Sequence, residues 1–158
     1  MAMTRPLTEA RSALGESRAV LARADAAMSG RWPRAAAALC RLALEQAVLS
    51  LWTGPNASLT RCSGKVQMLC LPEYLPSEHR NLALRTHLAW ASLSNALHVD
   101  ASYELAPTSA ELTTWCTLAD ELIGAMDHPR RPDATGEANA APSFSPPSVK
   151  VRGSEGEE

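Results

Sequence analysis

The chain has 158 residues, 46% of them hydrophobic, which is enough for one domain with a proper core and an appendage. A net charge of −2 gives no global pull toward nucleic acid, and no stretch is apolar and uncharged over the length of a membrane span. Aromatics are only 4%, so the core must be built from Ala and Leu, with Trp32, Trp52, Trp90 and Trp115 as bulky anchors. Ala and Leu are strong helix formers and β-branched residues are sparse, so the composition predicts an all-α protein, a compact four- to five-helix bundle.

A first helix is expected from about Leu7 to Ser29. Leu7, Ala10, Leu14, Leu21, Ala24 and Met28 follow a 3–4 spacing and form one apolar stripe, Pro6 suits the first turn, and Gly30 suits the stop. A second helix starts at Trp32–Pro33, runs to about Trp52 and stops at Gly54–Pro55. It is apolar around most of its circumference, so it is expected at the centre of the bundle. Arg41 and Glu45 interrupt it, stand four apart and form a structural pair on one side. Residues 55–76 read mainly as loop, with a short helix over Val66–Leu71 ending before Pro72. Ser77 is the expected N-cap of a fourth helix reaching about His98, with Glu78 in its first turn. After a loop over Asp100–Pro107, Thr108 and Glu111 read as a capping box. The helix it opens carries Leu112, Trp115, Ala119, Leu122 and Met126 and ends near His128.

From Pro129 the composition changes, with five of the eleven prolines in the last thirty residues and a terminal run of Glu and Gly. Such a segment buries too little to offset its ordering entropy, so the expected organisation is a helical bundle over 1–128 and a disordered tail over 129–158. Cys40, Cys62, Cys70 and Cys116 show no CxxC spacing and have no His at zinc-ligand distance, so no metal or cofactor is expected. Reduced thiols and the lack of an apolar leader point to a cytoplasmic protein. Up to residue 65 there are nine Lys/Arg against four Asp/Glu, and over 66–128 two against eight. This asymmetry predicts complementary faces, within the fold or between subunits.

One constellation carries chemical content. On a helical wheel of the fourth helix, Leu82, Ala83, Thr86, Ala89, Trp90, Leu93, Ala96 and Leu97 share the core side. Arg80, His87, Ser94 and His98 fall almost in line on the other side, flanked by Asn81, Arg85, Ser92 and Asn95. Arg binds phosphate through its planar fork and His titrates near neutrality, so the row suits phosphodiester chemistry; it equally suits a solvated helix face.

Arg41-Leu42-Ala43-Leu44-Glu45 within an apolar helix resembles the R-x-x-L-E pattern of bacterial HEPN-like families. Ser94-Asn95-Ala96-Leu97-His98, followed by Tyr103 and a last amphipathic helix, resembles in position the R-N-x-x-x-H region of HEPN-type domains. The number and order of helices agree over roughly residues 7–128. The resemblance implies a dimeric helical bundle of a bacterial defence or toxin–antitoxin system. Active members resemble metal-independent endoribonucleases using an Arg, four to six residues, then a His. Arg80-Asn81 and His87 match that spacing one element early, whereas Ser94 stands where the later motif has Arg. On this resemblance Arg80 and His87 are the catalytic candidates, and Asn81, Ser94, Asn95 and His98 the binding candidates. The leading expectation is a non-catalytic interaction module acting as a homodimer or beside a protein partner, without a membrane. The alternatives are a metal-independent endoribonuclease acting on RNA, leaving 2′,3′-cyclic phosphate ends, and a bundle that binds a small ligand or nucleotide.

Overall fold

The computed structural model describes residues 5–23, 32–53, 57–98 and 106–127, with the backbone alone at position 98. It contains five α-helices: α1 (Arg5–Ala22), α2 (Trp32–Trp52), α3 (Gly64–Tyr74), α4 (Arg80–His98) and α5 (Ser109–Asp127). Short 3-10 turns occupy Ala57–Arg61 and Ser77–His79. No strand occurs among the described residues. The expected extension of the first helix to Ser29, the expected Asp100–Pro107 loop up to residue 105 and the tail from 129 lie outside them; Ala106 and Pro107 have no regular structure, as expected.

The most apolar helix takes the centre. α2 packs against α1, α3, α4 and α5, and Ala36, Ala37, Cys40, Ala43, Leu44, Ala47, Val48 and Trp52 are all fully buried. By length and composition α2 would pass for a membrane span, and 44% of that stretch is buried against the other helices. Small side chains let the backbones of α1 and α2 come close. Ala10 and Ala13 of α1 are buried, and the buried hydroxyl of Ser17 donates to the Ala36 carbonyl oxygen at 2.9 Å. That bond satisfies a hydroxyl that would otherwise be costly to bury. Ser17 Oγ also lies 3.4 Å from Cys116 Sγ, so α1, α2 and α5 meet at a small polar knot. Cys40 joins it: its shared hydrogen bond with Cys116 and its burial push its thiol well above the ordinary range.

The charge asymmetry is resolved partly inside the fold. Arg11 and Arg18 of α1 reach Asp127 and Asp120 of α5 at 2.8 and 3.3 Å, and Arg85 of α4 reaches Glu121 at 3.0 Å. All six side chains are more than two-fifths exposed, so these pairs orient the helices and add at most about 1 kcal/mol each.

Two expectations are corrected. The third helix does not stop before Pro72 but runs from Gly64, capped by Ser63, to Tyr74. Pro72 forfeits one backbone bond, yet the last turn still closes through the Leu75 N–H to the Leu71 carbonyl at 3.1 Å. Tyr74 is held by an edge-to-face contact with buried Trp52, ring centroids 5.0 Å apart. Ser77 is not an N-cap; it begins a 3-10 turn entered from Pro76, whose ring offers no capping oxygen. That turn leads straight into α4, with the Arg80 N–H donating to the Ser77 carbonyl.

The start of α5 follows the capping box. The Thr108 N–H and hydroxyl both donate to Glu111 Oε2 at 2.8 Å, and the Glu111 N–H donates back to Thr108 Oγ1 at 3.2 Å. These donors hold the Glu111 carboxyl below its ordinary value of 4.5, the backbone bond contributing most.

Candidate functional site

α4 is the helix whose outer surface carries the predicted stripe, and the core side is as the wheel places it. Ala83, Thr86, Ala89 and Leu93 are buried, and Leu82, Trp90, Ala96 and Leu97 are partly so. The stripe itself does not lie opposite the core. His87 and Ser94 are half-buried, whereas the exposed positions are Arg80, Asn81, Leu84, Arg85, Leu88, Ser92 and Asn95. At about 100° per residue the exposed arc centres on Leu88, and the Arg80–His87–Ser94 row forms its edge.

The row is also chemically less open than its sequence implies. Arg80 Nη2 sits 3.5 Å from Glu73 Oε1 of α3, a loose exposed pair. Ser94 Oγ donates back to the Trp90 carbonyl oxygen at 2.6 Å, which turns the hydroxyl onto its own helix. Arg80 and His87 are two turns apart, about 10 Å along the axis. Asn81 and Asn95 are exposed at opposite ends of the face, and the His98 side chain lies outside the described residues.

At the centre of the outer face stand two leucines, Leu84 and Leu88, one turn apart and 54% and 67% exposed. Both fall outside the core arc of the helical wheel, and neither is among the site residues expected from the sequence. Leucine at the middle of a solvent face breaks the binary pattern of an amphipathic helix, and that break was the available signal.

A second feature lies where α2, α3 and α4 meet. An open cleft of about 510 Å³ is lined by Arg41, Glu45, Gln46, Ser63, Lys65 and Trp90, among others. Arg41 Nε donates to Glu45 Oε1 at 2.9 Å, and Trp90 Nε1 donates to the same oxygen at 2.9 Å. The Arg41 guanidinium also sits over the Trp90 ring, 5.4 Å from its centroid. So the expected Arg41–Glu45 pair is one part of a three-residue cluster that joins α2 to α4. Gly64 opens α3 against this cluster, and a Cβ there would sit 3.5 Å from Trp90 Cζ2. Trp90, which composition marked only as a core anchor, is half-buried and forms a wall of the cleft.

No family model matches the chain, and no curated protein or solved structure does either.

Proposed function

We propose that this chain is a non-catalytic, HEPN-like helical module that works by association, and that it pairs with a second copy of itself through the outer face of α4. The observation that carries this is the exposed Leu84–Leu88 pair. Two leucines side by side at the centre of a helix face, with neutral Asn81, Ser92 and Asn95 beyond them, form an apolar patch with a polar rim, the composition of an interface core.

The sequence of the face also suits a two-fold arrangement. If two α4 helices cross antiparallel at Leu88, Asn81 lies opposite the partner's Asn95, Leu84 opposite the partner's Ser92 and Arg85 opposite the partner's Ala91. No like charges meet, and Arg85 keeps its own partner, Glu121. Self-complementarity of this kind is what an isologous interface requires. The nuclease reading has less support, because Arg80 is paired with Glu73 and the Ser94 hydroxyl is turned onto its own helix.

Sedimentation equilibrium of the full chain over a wide concentration range tests the proposal. A monomer–dimer equilibrium is expected, and Leu84→Gln/Leu88→Gln should be monomeric with unchanged helicity. A wild-type chain that stays monomeric, or a double variant that still dimerises, refutes pairing through α4. In parallel, RNA incubated with the protein in EDTA should remain intact; cleavage that His87→Ala abolishes would establish the nuclease instead.

A further inference from the structure

We infer that the cleft between α2, α3 and α4 is a binding site for a small phosphate monoester that carries hydroxyl groups. The inference does not depend on pairing through α4.

The cationic side of the cleft is already assembled. Arg41 spends Nε on Glu45, while its Nη1 and Nη2 groups bond no other described residue. Guanidinium has five N–H donors in a rigid fork, so four remain for a ligand. The fork is held in place: Glu45 fixes its inner edge and the Trp90 ring supports its face, so little side-chain freedom is lost when it captures an anion. Lys65, at the start of α3 on another wall of the cleft, adds a second cation, exposed and in no ion pair among the described residues. The cleft lining thus carries two cations against one carboxylate, and that carboxylate already accepts hydrogen bonds from Arg41 and Trp90 through one oxygen. A phosphate monoester has oxygens enough to meet a fork and an ammonium from two directions.

The hydroxyl requirement comes from the same helix, one residue beyond Glu45. Gln46 lines the cleft, and its Oε1 is buried with no hydrogen-bond partner. A buried acceptor without a donor is costly. The last torsion of Gln has a broad and roughly two-fold profile, so the amide can turn to meet a donor supplied from the cleft. A ligand hydroxyl donating there relieves the cost, and Glu45 Oε2 accepts a second. The volume, about 510 Å³, suits a sugar phosphate or a nucleoside monophosphate. Both faces of the problem are then met by one molecule: an anion at Arg41 and Lys65, and donors at Gln46 and Glu45.

The test is calorimetric titration of the full chain with ribose 5-phosphate, adenosine monophosphate, inorganic phosphate and ribose. Binding of ribose 5-phosphate is expected, with inorganic phosphate at least about 10-fold weaker and ribose undetectable. The nucleotide arm separates the two sources of the same chemistry: tighter binding of the nucleotide than of the sugar phosphate assigns the rest of the cleft to the base. Lys65→Ala removes an exposed side chain that supports nothing, and should weaken binding about 10-fold with no change in thermal stability. Gln46→Met keeps the volume and should reduce ribose 5-phosphate to the level of inorganic phosphate. Arg41→Met should abolish binding. No binding of any phosphate compound, or equal binding to wild type and Lys65→Ala, overturns the assignment and leaves Arg41, Glu45 and Trp90 as a tie between helices.

Discussion

The two sides of α2 are built differently. Toward α1 and α5 it presents alanines, a cysteine and Leu44 to a seam where polar atoms are sealed in pairs such as Ser17 with Ala36, with Leu42 exposed only at its rim beside α1. Toward α3 and α4 it presents Arg41, Glu45 and Gln46 to an open cleft bounded by a short, proline-containing helix. One side is closed by close packing, and the other is held open by a few oriented polar groups. α2 packs more extensively against α1 and α5 than against α3 and α4, although Met68, Leu71 and Leu93 tie α3 and α4 into the same core.

The sharpest way to break this contrast is to remove volume from each side. Leu44→Ala should cost about 3 kcal/mol, since its fully buried site has no route to relax. Met68→Ala, equally buried but on the wall of the cleft, should cost about 2 kcal/mol, at the low end for such a change. Urea denaturation of both variants measures the difference; equal losses would mean that the cleft side is packed as tightly as the other.

A second contrast is in pH dependence. The Cys40 thiol is raised above its ordinary value of 9.0, so its contribution to stability is intact below pH 9 and is lost as pH climbs toward the folded value. Thermal melts should show stability declining above pH 9, with a shallower decline in Cys40→Ala. Glu111 has the opposite sign. Its carboxyl is lowered from 4.5, so its contribution is present above pH 4.5 and is lost as pH falls through the folded value. Thr108→Ala should cost about 1 kcal/mol at neutral pH and reduce the slope on the acid side.

The smallest effects belong to the open side. Gly64→Ala should leave stability within about 0.5 kcal/mol, because the added methyl would make only ordinary contact with Trp90. Leu88→Gln should be equally mild in stability at concentrations where the chain is monomeric, and should show its effect in sedimentation alone.

What the sequence made legible follows the same division. α2 and the opening of α5 were readable because local rules decide them: an apolar run closed by Gly54–Pro55, and a Thr–Glu box whose two partners lie three residues apart. The end of α3 was not, because the contact that favours continuing past Pro72 is Tyr74 against Trp52, twenty-two positions away in sequence. The row on α4 was read in its correct angular order but placed opposite the core, since spacing gives relative angles and only the neighbouring helices set where the face points. The cleft needed three segments brought together, and of its residues only Arg41 and Glu45 were adjacent enough to be paired on spacing.

The knot formed by Ser17, Cys40 and Cys116 has one more consequence. Cys40 and Cys116 are 0% and 2% exposed at the junction of three helices, whereas Cys62 and Cys70 are partly accessible. A thiol reagent can therefore meet the inner pair only when the junction opens, and the outer pair supplies the reference for unhindered reaction. The ratio of the two labelling rates is an opening constant, obtained in native buffer and without denaturant. The molecule thus carries its own probe of how often its most tightly closed part comes apart, and the same rates measured with a ligand in the cleft would report whether the open side and the closed side breathe together.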